Sequence, residues 1–101
     1  MSQVKELDVT SLPTGNAVVK VYGKTCSPCK ALAPEFEQVA EQVQDVEFYS
    51  VCLEDNLEWV KSVKVRSVPT LLFYKDGEIV QTVTGFKPAS VISELISTHL
   101  A

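Results

Sequence analysis

Apolar residues run almost unbroken through Ala17-Val18-Val19-Lys20-Val21-Tyr22, with a lysine set in their middle. A short apolar run rich in β-branched residues is what a strand covered on both faces presents, as in a central parallel sheet. Downstream, Leu32, Phe36, Val39, Ala40 and Val43 return at helical spacing, while Glu35, Glu37, Glu41 and Gln42 fall on the other side. The pattern predicts a helix beginning at the cysteines Cys26 and Cys29. Pro28 suits a first turn, where its missing N–H has no partner to lose; Pro34 lies deeper and is expected to kink the helix. Val46 to Leu53 is the next expected strand, and the crossover before it is long enough to set it parallel to the first. Asp55-Asn56 offers a cap for a short helix carrying Leu57, Val60 and Val63. Thr70–Tyr74 and Ile79–Val83 flank Lys75-Asp76-Gly77-Glu78, the pattern of a tight hairpin. Gly85-Phe86-Lys87-Pro88 breaks the chain before Val91, Ile92, Leu95, Ile96 and Leu100 mark a last amphipathic helix. The first stretch, Val4 to Leu12, is weakly patterned: a short edge strand and one helical turn are expected there, ahead of a turn at Pro13-Thr14-Gly15-Asn16. These elements imply an α/β layer sandwich, a central mixed sheet with helices on both faces.

Composition narrows the class. The chain has 101 residues, 46% hydrophobic and 22% charged, so one domain over 1–101 is expected, with a core that needs no staple. A net charge of −4 argues against nucleic acid as a partner, because phosphate binding needs a basic face. Met1 to Glu6 lacks the apolar run of a signal peptide, and no segment approaches the length of a membrane span. A cytoplasmic protein without a membrane partner is therefore expected. Three cysteines, two of them in Cys26-Ser27-Pro28-Cys29, do not make a secreted disulfide framework. In a reducing compartment such a pair is catalytic or metal-bound.

Chemistry separates the two readings. A thiol where a strand gives way to a helix meets unpaired N–H groups and the positive end of the helix dipole, which favour the thiolate. Cys29 lies about one turn further on, within reach of a disulfide. An exposed Cys26 would attack a substrate disulfide and a sheltered Cys29 would resolve the mixed disulfide, with Pro28 stiffening the turn. Lys24 and Lys30 add positive charge. Zinc would need four ligands, and the complete set is Cys26, Cys29, Cys52 and His99. Cys52 falls in an apolar strand and His99 at the end of the last helix, which sets them far apart in the expected layout. The alternative of a redox-inert structural pair suits a strand-to-helix junction poorly.

At this point the chain resembles the thioredoxin family over nearly its whole length. Thr25-Cys26-Ser27-Pro28-Cys29-Lys30 is similar to the family's active-site segment, and Pro34 falls at its helix-kinking proline. Val65-Arg66-Ser67-Val68-Pro69-Thr70 resembles the loop carrying its cis-proline, Lys75-Asp76-Gly77 its hairpin turn, and Gly85 its last glycine position. The resemblance implies a thioredoxin fold and a protein disulfide reductase with Cys26 as nucleophile and Cys29 as resolving thiol. It also implies a substrate-binding rim of Ser27, Pro28, Val68, Pro69, Gly85 and Phe86, in which Val68 offers its backbone to an extended substrate strand. It calls for no cofactor and no metal. The partners implied are disulfide-containing proteins and an electron donor, either thioredoxin reductase or another dithiol or glutathione donor, with the chain acting as a monomer. The alternative is a binding module that uses the same apolar rim without turnover. An oxidase or isomerase fits poorly with a chain expected to lack an export signal.

Departures from the family are concentrated near the cysteines. Thr25 stands where relatives carry Trp, Ser27 where they carry Gly, and Tyr22 at another Trp position. Lys20 replaces a buried Asp, and Ser50 replaces the Lys across from it. Lys20 and Lys24 are therefore expected to tune the thiol pKa. Two unit charges about 6 Å apart at an effective dielectric near 20 interact by roughly 3 kcal/mol. That would favour a Cys26 thiolate and a potential more oxidising than that of relatives. The plainer readings are a lysine that snorkels its ammonium to water, or a neutral lysine that accepts a proton. Cys52 is expected in the core, Trp59 in packing, and His99 as a helix-end charge. Phe86 either widens an apolar docking patch or packs its own loop.

Overall fold

The computed structural model describes residues 3–100; Met1 and Ser2, part of the amino-terminal stretch weighed above, and Ala101 lie outside them. Along the described residues run β1 (Val4–Glu6), β2 (Ala17–Tyr22), α1 (Ser27–Gln42), β3 (Glu47–Cys52), α2 (Leu57–Ser62), β4 (Thr70–Lys75), β5 (Glu78–Thr84) and α3 (Ala89–Leu100). The strands form one sheet in the order β1-β3-β2-β4-β5. β3 runs parallel to both β1 and β2, whereas β4 is antiparallel to β2 and to β5. β2 is thus the middle strand, as its apolar run predicts, but with a parallel neighbour on one side only.

Alternation along the strands sorts the core into two layers. Val18, Phe48, Leu71 and Phe73 face α1 and α3 and pack on Leu32, Phe36, Val39, Ile92 and Ile96. Ala17, Val19, Val21, Val51, Leu72 and Tyr74 face the other way, toward Val60 of α2 and Val65. Helices therefore cover both faces of a mixed sheet. Each large side chain removed from water in these layers contributes about 1.5–3 kcal/mol. Lys20 shares the α1 face with Val18, and this period-2 placement puts it under α1 with only 8% of its surface exposed.

The hairpin forms as its Asp-Gly pair predicts. Asp76 and Gly77 both take positive φ, 52° and 85°, the left-handed backbone that a two-residue turn between twisted strands requires. Three local expectations are corrected. No helical turn forms in Val4–Leu12: after β1 the chain makes a turn closed by Ser11 N–H to the Asp8 carbonyl, with the Asp8 carboxylate holding Thr10. Asn56 is the N-cap residue of α2, yet its side chain makes no capping bond; its amide donates instead to the Cys52 carbonyl at 3.1 Å. Leu57, expected inward, is 51% exposed.

Asn16 ties three elements together. Its side-chain amide donates to the Leu100 carbonyl at 3.0 Å, and its Oδ1 accepts the Asp76 N–H at 3.2 Å. Its own carbonyl accepts from Glu47 N–H, just before β3 turns inward. Asn16→Ala removes both side-chain bonds and should lower stability by about 1–3 kcal/mol, read as a lower urea midpoint with an unchanged slope. An unchanged midpoint would mean that these bonds are exchanged for water at no cost.

Candidate active site

β2 and β3 are parallel and end level, with Tyr22 opposite Cys52, so the segments that leave them meet. Leu53 N–H donates to the Tyr22 carbonyl at 2.8 Å. One residue on, the Glu54 carboxylate accepts the Lys24 N–H at 3.2 Å, and the Lys24 ammonium sits 3.0 Å from Asp55. These contacts clamp the loop that delivers Cys26 to α1.

Cys26 is the N-cap residue of α1, with extended backbone angles. Its Sγ accepts the Cys29 N–H at 3.2 Å, and its carbonyl accepts the Lys30 N–H at 3.2 Å. A sulfur at an N-cap thus takes the place a Ser or Asp oxygen usually fills. No acidic residue lies in the first turn to oppose a negative charge there. Cys26 and Cys29 are joined in a disulfide, with Cα atoms 5.2 Å apart. Ser27 and Pro28 are exposed and Cys26 is half-buried, whereas Cys29 is buried.

The Val68–Pro69 bond is cis, as the resemblance implies. A Cβ on Gly23 would lie 3.2 Å from Val68 Cγ2 and 3.5 Å from Cys26 Cβ, so the bare glycine marks the gap across which Val68 faces Cys26. Among the described residues, the N–H and C=O of Val68 take part in no hydrogen bond within the chain. Pro69 is buried, and its carbonyl accepts the Gly85 N–H at 2.8 Å. This bond sets Gly85, at φ 88°, and its neighbour Phe86 alongside the Pro69 loop. Phe86 is 44% exposed, so its ring is not packed away within the loop.

The remaining candidates are dispersed. Cys52 is a free, buried thiol whose S–H donates to Glu54 at 3.5 Å, and burial pushes its pKa up. His99 sits at the other end of the sheet core, against Phe73 and within 3.3 Å of the Gln81 amide. Among the described residues no cluster of His, Cys, Asp or Glu could hold a metal ion. Trp59 is half-buried beside the layer under α2. Lys20 lies with its ammonium 5.4 Å from the Phe36 ring and 5.7 Å from that of Tyr22.

Glu54 and Asp55 were not among the expected site residues. The parallel register contains the signal: residues just beyond the ends of paired parallel strands are neighbours, so residues 54 and 55 fall beside residue 24.

A dithiol–disulfide pair at a helix N-terminus, facing a cis-proline loop across a bare glycine, defines a thiol–disulfide oxidoreductase. The thioredoxin family model matches residues 3–98. The chain is 36% identical over 104 residues to thioredoxin of Bacillus subtilis, covering 99% of this chain and all of that one. It is also 36% identical over 90 residues to thioredoxin-2 of Saccharomyces cerevisiae, covering 87% and 86% of the two chains. The crystal structure of spinach chloroplast thioredoxin F superposes with a TM-score of 0.84 at 29% identity, covering 94% of this chain and 91% of that one. The chain belongs to the thioredoxin family. No helix among the described residues is long and apolar enough to cross a membrane.

Lys24 holds the Asp55 carboxyl below its ordinary range, and Asp55 in turn raises the Lys24 pKa. In Lys24→Met the Asp55 pKa should rise toward the ordinary carboxylate value, as followed by carbon-13 NMR titration. A carboxyl that does not move would show the ion pair to be absent in solution.

Proposed function

We propose that the protein reduces disulfides in extended segments of other proteins, with Cys26 attacking and Cys29 resolving. The unequal exposure of the two cysteines carries this reading: Cys26 is half-buried at the helix N-cap, while Cys29 is buried one turn behind it. The Cys26 thiolate attacks one substrate sulfur, and the other leaves as a thiolate and takes a proton from water. Cys29 then gives up its proton and its sulfur attacks Cys26 Sγ, which releases the second substrate sulfur. Two electrons have passed to the substrate, and the protein is left with the Cys26–Cys29 disulfide. An external thiol donor, either a thioredoxin reductase or another dithiol or glutathione donor, returns those electrons.

The unpaired backbone groups of Val68 suit an added substrate strand, the pairing by which extended peptides bind exposed backbone edges. Exposed Ser27, Pro28 and Phe86, with Pro69 and Gly85, complete a rim around Cys26, and the exposure of Phe86 favours its docking role over loop packing. Lys24 tunes the site weakly, because Asp55 offsets its charge. A cytoplasmic monomer acting on proteins, with neither nucleic acid nor membrane as partner, accords with the net charge of −4 and with the reducing conditions that keep a dithiol active.

Insulin reduction with dithiothreitol as donor tests the reading. Cys26→Ser should abolish activity, Cys29→Ser should accumulate mixed disulfides on Cys26, and Cys52→Ser should keep nearly full activity. Loss of activity in Cys52→Ser equal to that in Cys26→Ser would overturn these roles.

A further inference from the structure

Phe86 is a large apolar ring left 44% exposed on a loop whose backbone is tied down along its length. The loop, residues 85–88, joins β5 to α3. At its start the Gly85 N–H donates to the Pro69 carbonyl at 2.8 Å. In its middle the Lys87 ammonium folds back and donates to the Thr84 carbonyl at 3.0 Å and to the Phe86 carbonyl at 3.4 Å. At its end the Ala89 N–H donates to Glu35 Oε1 at 2.8 Å.

The last of these bonds reaches across to another element. The first N–H groups of a helix have no partner within it, and α3 carries no acidic residue in its own first turn to meet them. Glu35 of α1 supplies the acceptor from 54 positions away, and its negative charge suits the positive end of the α3 dipole. Ala89 itself belongs to the same buried layer as Leu32, Phe36 and Val39 of α1. The two outer anchors of the loop are thus the cis-proline loop and the helix that begins at Cys26. A docking group held in place before it binds has less freedom to lose on binding. The rim around it is uncharged, since Ser27, Pro28, Val68, Pro69, Gly85 and Phe86 are all neutral. An aromatic ring projecting from such a rim is matched by a large apolar side chain on the substrate strand.

We propose that Glu35 is a positioning residue for substrate choice: by capping α3 it holds the 85–88 loop so that Phe86 receives a large apolar side chain next to the substrate disulfide. The inference rests on the reading of Phe86 as part of the docking rim. Glu35 takes no part in the exchange of electrons. Its loss therefore weakens the preference for apolar substrates and leaves the thiol chemistry as it is.

A pair of extended peptide disulfides that differ only in Leu or Ser beside the cysteine tests this. Pre-reduced protein is mixed with each in excess, and its oxidation is followed over a single turnover. The unaltered protein should reduce the Leu peptide about fivefold faster at low concentration, as partial burial of one apolar side chain supplies. Phe86→Ala should abolish that preference. Glu35→Ala should cut it below about twofold by slowing the Leu peptide alone, because one helix cap is enough to loosen the loop end. Glu35→Gln, whose amide oxygen still accepts the Ala89 N–H, should keep the preference. Should Glu35→Ala not fold, Glu35→Met, which keeps the length without the acceptor, reads the same effect. A preference that survives in the Glu35 variant while Phe86→Ala loses it, or equal slowing of both peptides, overturns the role of Glu35. Absence of any preference, or one that Phe86→Ala retains, overturns the docking role of Phe86 and the inference with it. Failure to reduce either peptide overturns the reductase reading itself.

Discussion

The reactive end of the molecule depends on one junction, where a strand buried on both faces stops and a helix starts at a cysteine. At that junction the first-turn N–H groups of α1 have no partner within the helix, and the Cys29 N–H turns to the Cys26 sulfur. The same geometry that satisfies the helix end also prepares the sulfur for negative charge. It further separates the two cysteines by about one turn, which leaves one near solvent and the other inside. Position on the helix therefore assigns different chemical surroundings to two identical side chains.

That junction is held from both sides. Glu54 and Asp55, beyond the end of β3, grip the loop at Lys24, and Gly23 leaves room for Val68 to approach Cys26. The Gly85 N–H, bound to the Pro69 carbonyl, fixes a third segment beside them. Each of these segments leaves or enters the same end of the sheet, so the packing of β2, β3 and β4 sets their spacing. The layers beneath are ordinary apolar packing. Their contribution to function is rigidity.

Lys20 is where the layer departs from that rule. Its burial opposes its charge, and a pocket lined by Lys20, Tyr22, Cys29 and Ala33 lies beside it. Aromatic faces at Phe36 and Tyr22 stabilise the ammonium without neutralising it, as a salt-bridging carboxylate would.

Much of this was legible along the chain because the signals are local. The β-branched run of β2, the periodic apolar face of α1 and the Asp76-Gly77 turn each depend on neighbours within one element, so their forms follow from sequence. The Cys26 junction was legible for the same reason, since the strand-to-helix change and the cysteine spacing occupy a few consecutive residues. Short polar side chains were less predictable. Asp8 closes a local turn on Thr10, and Asn56 bonds back to Cys52, because these groups choose among several nearby partners of similar energy. Sequence placed Lys20 within a strand and Glu54 after one, but not what either would meet. Only the register of β2 against β3 brings Glu54 to Lys24, and only the packing of α1 across the sheet sets Lys20 and Cys29 on one pocket. Those relations join residues far apart in the chain, and the tertiary fold decides them because nothing in either segment alone specifies the distance between them.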